Sequence, residues 1–478
     1  MLWLDAESRT NLWRHVAESI ETYSTEVGDL DVAPEVTAGA LQDLLRPFDF
    51  SRPLQPTAAV DFAVDVMRRY SVHNAHPRYF GLFVPAPTTM GIAADALVAA
   101  FNPVLAAWNL SPIAVEIEQH LVRAFADQFG YEPSGCDGVF TAGGSEANHT
   151  ALLTALVSKF PNFNRGGLRS LDAQPVLYAS SESHHSIHKA ARLCGLGPES
   201  VREVPVDEHL RMDVNALSLR VDEDKAAGVA PFLIVATAGS TGGGTIDNLT
   251  SLADYAAHED VWLHVDGAWG AGAALVPELK GVLDGMARAD SITFSLHKLL
   301  SVPMGAGLYV TRHAEILEKT FRTAAPYMPL ASGVGRAPDP YAHSMQWGRR
   351  FIGLKVFLSL AVAGWEGYAE TIRHQVAMGD YLRVRLEEAQ WTVVNRTPLP
   401  LVCFVDSRHP EGRSPSYLNA IADCVVSSGR AWISTTTIGD GVRVLRACVT
   451  NYKTQTEDVD ILVEALESAR EQRDLCCA

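Results

Sequence analysis

Apolar positions recur at helical spacing over residues 7–25 and 34–46, and again over 58–70 once Pro53 and Pro56 have interrupted the chain. The spacing predicts three helices whose Leu and Trp residues cannot be buried by a lone helix, so residues 1–75 read as an arm that packs on the body or on a second subunit. From about 135 to 310 the pattern changes. Short apolar runs at 138–140, 175–179, 231–237, 261–266 and 291–295 alternate with amphipathic helices predicted at 146–159, 187–196 and 250–258. Buried strands alternating with helices predict an α/β domain with a mostly parallel sheet. A turn at 302–305 leads into one further strand. Residues 322–346 then lose periodicity and carry Pro326, Pro329, Pro338 and Pro340, the mark of a working loop or a disordered insert. Beyond 375 a helix (376–389), strands at 391–395 and 401–406, a helix (415–427), a strand (431–436), the run 442–448 and a last helix (456–471) predict a small α+β domain.

Composition narrows the choice of partner. The chain has 478 residues, 47% hydrophobic and 20% charged, enough to bury a large core, and a net charge of −17 that argues against a nucleic-acid or anionic-membrane surface. Seven cysteines, at 136, 194, 403, 424, 448, 476 and 477, show no zinc-like spacing, and their odd number argues against a secreted disulfide framework. The start of the sequence lacks a basic signal-peptide region and no apolar run is long enough to span a bilayer, so a cytoplasmic protein acting on a small molecule is expected.

Two runs carry the candidate chemistry, His264-Val-Asp266 and Ser291-Ile-Thr-Phe-Ser-Leu-His-Lys298. Each places a polar residue at the end of a buried parallel strand, where α/β proteins bind ligands. A lysine among apolar groups loses ammonium solvation and becomes a free amine able to form a Schiff base, and a neighbouring aspartate can keep a pyridinium nitrogen protonated. Thr141-Ala-Gly143-Gly144-Ser145 follows a strand and opens a helix, offering backbone N–H groups to an anion such as phosphate. Neither a P-loop nor a dinucleotide fingerprint is present. Thr237 ends another strand and runs into the glycine-rich stretch 239–244, which requires unusual backbone angles or a close approach. His184 and His185 follow the end of a fifth strand, 175–179.

His264-Val-Asp266-Gly-Ala268-Trp-Gly followed by Ser295-Leu-His297-Lys298 resembles the group II pyridoxal phosphate (PLP) decarboxylases, which include the aromatic amino acid and glutamate decarboxylases. The likeness runs through about 70–465. It implies a fold-type-I, aminotransferase-like enzyme with an N-terminal arm (1–75), a large domain (76–374) holding a seven-stranded sheet and a catalytic loop (322–346), and a small C-terminal domain (375–478) that serves as a lid and dimer support. It implies that Lys298 binds PLP and that Asp266 faces the ring nitrogen. A histidine stacks on the ring, for which the following helix favours His185 over the adjacent His184. Tyr327, six residues after Phe321-Arg322, returns a proton to Cα. Gly144, Ser145, Thr237, Ala268, Ser295 and His297 contact the cofactor, and Gly348, in Gly-Arg-Arg, approaches the phosphate of the other subunit. That last contact implies a homodimer with shared active sites. His76-Pro-Arg-Tyr-Phe-Gly-Leu82-Phe83 and the stretch before Trp108 place Leu82, Phe83, Val104 and Ala106 at the substrate pocket. Ala106 and Leu82 are smaller and less aromatic than the residues of aromatic-specific members, and no arginine is placed for a distal carboxylate; an apolar or aromatic L-amino acid is expected. Ser295 stands where many members carry an amide. The same lysine and aspartate also serve aldehyde synthases, C–C lyases and aminotransferases, so these remain alternatives, as does a catalytically inactive binding protein.

Overall fold

The structure is a computed structural model that describes residues 3–323 and 337–477. Seven strands, β1 (Asp137–Thr141), β2 (Pro175–Ser180), β3 (Val201–Val204), β4 (Ala230–Thr237), β5 (Trp262–Asp266), β6 (Ser291–Ser295) and β7 (Gly307–Thr311), form one sheet in the order β1-β7-β6-β5-β4-β2-β3. Pairings from β3 through β6 are parallel, whereas β7 runs antiparallel to both β1 and β6. The reversal follows from the turn at 302–305, too short for the crossover that a parallel return requires.

Register brings the chemistry together. Thr237 pairs with Asp266, and Asp266 with Thr293, so the C-terminal ends of β4, β5 and β6 lie side by side. Helix Gly144–Lys159 packs across the sheet with Ala147, Ala151, Leu152, Ala155 and Leu156 buried, and its N-terminus points at those strand ends. Trp262, Trp269, Tyr178, Phe232 and Phe294 are among the largest side chains removed from solvent, and they make the core beneath the site.

A second, antiparallel sheet of β8 (Trp391–Val393), β9 (Leu401–Asp406), β10 (Ser434–Ile438) and β11 (Val442–Cys448), in the order β10-β11-β9-β8, forms the C-terminal part with helices Pro415–Ser427 and Thr456–Cys477. Helix Gly353–Glu388 runs from the large part into it and bends at Gly364, where φ is 65°. The helix expected over 352–363 ends there as expected, because the backbone at Gly364 is not helical (φ 65°, ψ 176°); the next helical stretch starts earlier than the expected 376, so position 375 falls inside it. The N-terminal helices Ala6–Glu26, Ala38–Leu45 and Pro56–Tyr70 form as expected, started by the side chains of Asp5 and Thr37 and by Pro56. None of the three buries a residue, and Trp3 and Trp13 are 77% and 63% exposed.

Candidate active site

The strand ends and the helix N-terminus enclose a cavity of about 770 Å³. Gly143, Gly144, Ser145, His184, Thr237, Asp266, Ala268, Ser295, His297 and Lys298 line it, with Phe83 and Trp269 on its apolar side. Lys298 follows β6 by one turn, its N–H donating to the Ser295 carbonyl at 3.1 Å. Burial lowers its pKa from the ordinary lysine value while the Asp266 carboxylate pulls the other way. The ammonium sits 5.0 Å from the centre of the Phe83 ring. Such a lysine reaches its nucleophilic free-amine form more readily than an exposed one.

Asp266 accepts hydrogen bonds from Asn148 Nδ2 at 2.7 Å and from the Ala268 N–H at 3.1 Å. These two donors fix the direction of the carboxylate, the group that a pyridine nitrogen would need as its partner. At the other end, the helix opening at Gly144 offers backbone N–H groups, and a Cβ on Gly144 would stand 2.9 Å from Ser295 Oγ and 3.1 Å from Ala268 Cβ. Only glycine leaves room for the backbone to approach an anion here. Ser295 Oγ is buried with no hydrogen-bond partner among the described residues, and burial drives the pKa of His297 down to about 4. An unpaired hydroxyl, a neutral imidazole and a helix N-terminus around one glycine fit a phosphate group, while Lys298 and Asp266 fit the aldehyde and ring nitrogen of PLP.

Two expectations change. His184, not His185, lines the cavity: the chain turns into helix Ser186–Leu193 at this point, and His184 Nδ1 lies 2.8 Å from Ser186 Oγ. His185 caps that helix and its ring faces His188, 6.3 Å away between centroids. Val104, Ala106 and Gly348 also lie outside the cavity lining. A Cβ on Gly348 would be 3.6 Å from Val104 Cγ1 and 3.7 Å from Ala106 Cβ, so the three form their own patch. Of the four expected pocket residues only Phe83 lines the cavity; Leu82 is 52% exposed. Tyr327 lies outside the described residues.

Arg446 was read only as part of a C-terminal strand. It is buried on β11, its guanidinium 4.7 Å from the centre of the Phe83 ring, and Nη2 has no hydrogen-bond partner among the described residues. Its charge lowers the Lys298 pKa further. The C-terminal part therefore contributes a cation beside the lysine, and the only sequence sign was an arginine alternating inward along an apolar strand.

A mostly parallel seven-stranded sheet, a buried lysine one turn beyond a strand end, an aspartate on the next strand and a phosphate-fitting helix N-terminus define a fold-type-I PLP enzyme. The pyridoxal-dependent decarboxylase conserved domain matches residues 49–406, and the chain belongs to that family. It is 30% identical over 480 residues to an aromatic-L-amino-acid decarboxylase of Bacillus atrophaeus, covering 98% of this chain and 97% of the relative. It is 30% identical to the human cysteine sulfinic acid decarboxylase, covering 84% and 83% of the two chains. Among solved structures, mouse CSAD superposes with a TM-score of 0.91 at 26% identity, covering 98% of this chain and 99% of that one. Oryza sativa TDC, solved with PLP and tryptamine, gives 0.89 at 26% identity and covers 99% of both chains. The protein is a PLP-dependent carboxy-lyase that converts an L-amino acid to its amine and CO2.

Proposed function

We propose that the substrate is an apolar or aromatic L-amino acid. The observation that carries this reading is the aromatic wall of the cavity, where the Phe83 and Trp269 ring centroids lie 4.6 Å apart. Such a wall suits a flat apolar side chain. The names of the Bacillus relative and of a tyrosine decarboxylase from Narcissus pseudonarcissus agree with it.

Lys298 would hold PLP through its amine, with Gly144, Ser145, Ser295 and His297 placed for its phosphate; Thr237, Ala268 and His184 would line the ring's site, and Asp266 would partner its nitrogen. When bound, PLP supplies an electron sink for the pair left on Cα as the α-carboxylate departs as CO2. Tyr327 would return the proton to Cα, and the Lys298 amine would be the group that holds the cofactor between turnovers. The enzyme is a cytoplasmic homodimer of arm (1–75), large domain (76–374) and small domain (375–478). Support for the dimer comes from the arm's exposed tryptophans and from the patch of Val104, Ala106 and Gly348, which suits a wall of the partner's pocket. The five described cysteines are all free thiols, which suits a reducing compartment.

The test is incubation of the PLP-loaded protein with each L-amino acid, recording CO2 and product mass together. Amine and CO2 from aromatic or large apolar substrates are expected; a preference for cysteine sulfinate or glutamate would overturn the substrate reading. Lys298→Ala is expected to abolish the borohydride-reducible link to the cofactor.

A further inference from the structure

Asn148 lies just inside the helix whose N-terminus forms the phosphate-fitting cradle, and it is buried. Both its amide hydrogens are used: one meets Asp266 Oδ2 at 2.7 Å, the other Ser186 Oγ at 2.9 Å. Because Ser186 Oγ accepts from Asn148, its own proton is free for His184 Nδ1 at 2.8 Å, to which the Ser186 backbone N–H also donates at 3.2 Å. Nδ1 thus accepts, and the proton of a neutral His184 ring lies on Nε2.

The way the amide faces is decided behind it. Turned over, it would set its oxygen against the Asp266 carboxylate. The Trp262 indole N–H donates to Ser291 Oγ at 3.0 Å, and the Ser291 hydroxyl is placed to donate to His264 Nδ1 at 2.9 Å. That leaves His264 Nε2 protonated and facing Asn148 Oδ1 at 3.1 Å, with Thr293 Oγ1 beside it at 3.3 Å. All the side chains of this relay are buried, where the low dielectric strengthens each hydrogen bond and makes a missing donor costly.

We propose that Asn148 is a positioning residue, oriented by the Trp262–Ser291–His264 relay, that aims the Asp266 carboxylate at the cofactor ring and ties His184 to the same amide. The inference rests on the reading that Asp266 meets the ring nitrogen. The relay explains why a histidine occupies the middle of β5, where an apolar residue would pack as well: its two nitrogens differ, and it passes a donor direction from an indole to an amide.

The experiment compares dissociation constants for PLP, measured by absorbance on purified variants whose folding is checked by circular dichroism. Asp266→Asn is expected to weaken PLP binding. Asn148→Asp, which exchanges a donor for a second carboxylate, is expected to weaken it by about 10- to 100-fold. His264→Leu removes the orienting donor and is expected to cost about tenfold, whereas His264→Gln keeps an N–H there and is expected to stay within about threefold of the parent. A role for His264 in packing alone would weaken Leu and Gln variants alike, and that result overturns the inference even if Asn148→Asp does not fold. Parental affinity in Asn148→Asp with a loss in Asp266→Asn overturns the inference and leaves the Asp266 reading standing. Parental affinity in Asp266→Asn overturns both.

Discussion

Lys355 and Met304 are joined by a 3.0 Å hydrogen bond from Nζ to a main-chain carbonyl, and the same ammonium reaches the Pro303 carbonyl at 3.1 Å and Asp95 Oδ2 at 3.2 Å. The long helix thereby fastens the turn that follows Lys298. Burial lowers the Lys355 pKa and Asp95 counters it, so the charge is held by its partners. Lys355→Met is expected to destabilise the protein by about 2–4 kcal/mol, because two carbonyls and a carboxylate lose their donor. Urea melts of the cofactor-free protein check this, and a change under about 0.5 kcal/mol would mean the turn holds itself.

Tyr327→Phe is expected to redirect the reaction. If its hydroxyl returns the proton to Cα, its loss leaves time for oxidation by O2, and the products become aldehyde, ammonia, CO2 and hydrogen peroxide in place of the amine. Product mass and a peroxide assay read the change together. Unaltered amine formation would remove Tyr327 from the mechanism.

The two ends of the site were legible to different degrees. Lys298 and Asp266 sit at the ends of apolar strands, and strand-end position follows from local pattern alone, so both fall in the cavity as expected. The histidine did not, since His184 and His185 are neighbours of one type, and only the direction in which the chain enters the next helix separates them. Arg446 was illegible for another reason. Its approach to Phe83 depends on how β11 docks against the loop at 76–83, a contact between segments more than 350 positions apart; Arg446 Nη1, for instance, donates to the carbonyl of Gly81. Strand direction behaved similarly: apolar runs announced β7, but its antiparallel sense depends on the shortness of the turn before it.

Asp247 supplies a pH prediction. It is wholly buried and accepts the backbone N–H groups of Met212 and Thr237, each at 2.7 Å, yet desolvation outweighs them and raises its pKa from 3.8 to about 6. The folded state therefore holds this proton more tightly than the unfolded state, so the group's contribution to stability falls as pH rises between the two values. The gap of about two decades corresponds to about 3 kcal/mol lost between pH 4 and 6. In Asp247→Asn that slope is absent, although the variant starts lower because one backbone donor faces an amide NH2. Denaturation midpoints of the two proteins measured from pH 4 to 7 are expected to converge as pH rises; parallel curves would show that Asp247 is ionised throughout.

The glycine-rich stretch after Thr237 makes the close approach its composition announced, and the partner is the C-terminal part. Four successive carbonyls are each taken by one of its side chains: Thr241 by Arg446 Nε at 2.9 Å, Gly242 by Cys403 Sγ at 3.2 Å, Gly243 by Asn395 Nδ2 at 2.8 Å and Gly244 by Thr397 Oγ1 at 2.6 Å. Gly244 has φ of 71°, and a Cβ there would stand 3.2 Å from Thr397 Cγ2, so side chain and conformation both argue for glycine. Thr241 lines the cavity, which makes this clamp a link between the C-terminal part and the site. Asn395 is its most connected member, since it also donates to the Leu401 carbonyl at 3.0 Å and accepts the Cys403 N–H at 2.8 Å. Asn395→Ala is expected to cost about 2–3 kcal/mol through the buried groups it leaves unpaired. Asn395→Asp keeps the acceptor for Cys403 but turns a carboxylate toward two carbonyl oxygens, so it is expected to be the more damaging of the two. Denaturation midpoints rank the variants, and PLP affinity shows whether the cavity feels the change. An Asp variant as stable as the parent would mean that the Gly243 carbonyl does not depend on Asn395.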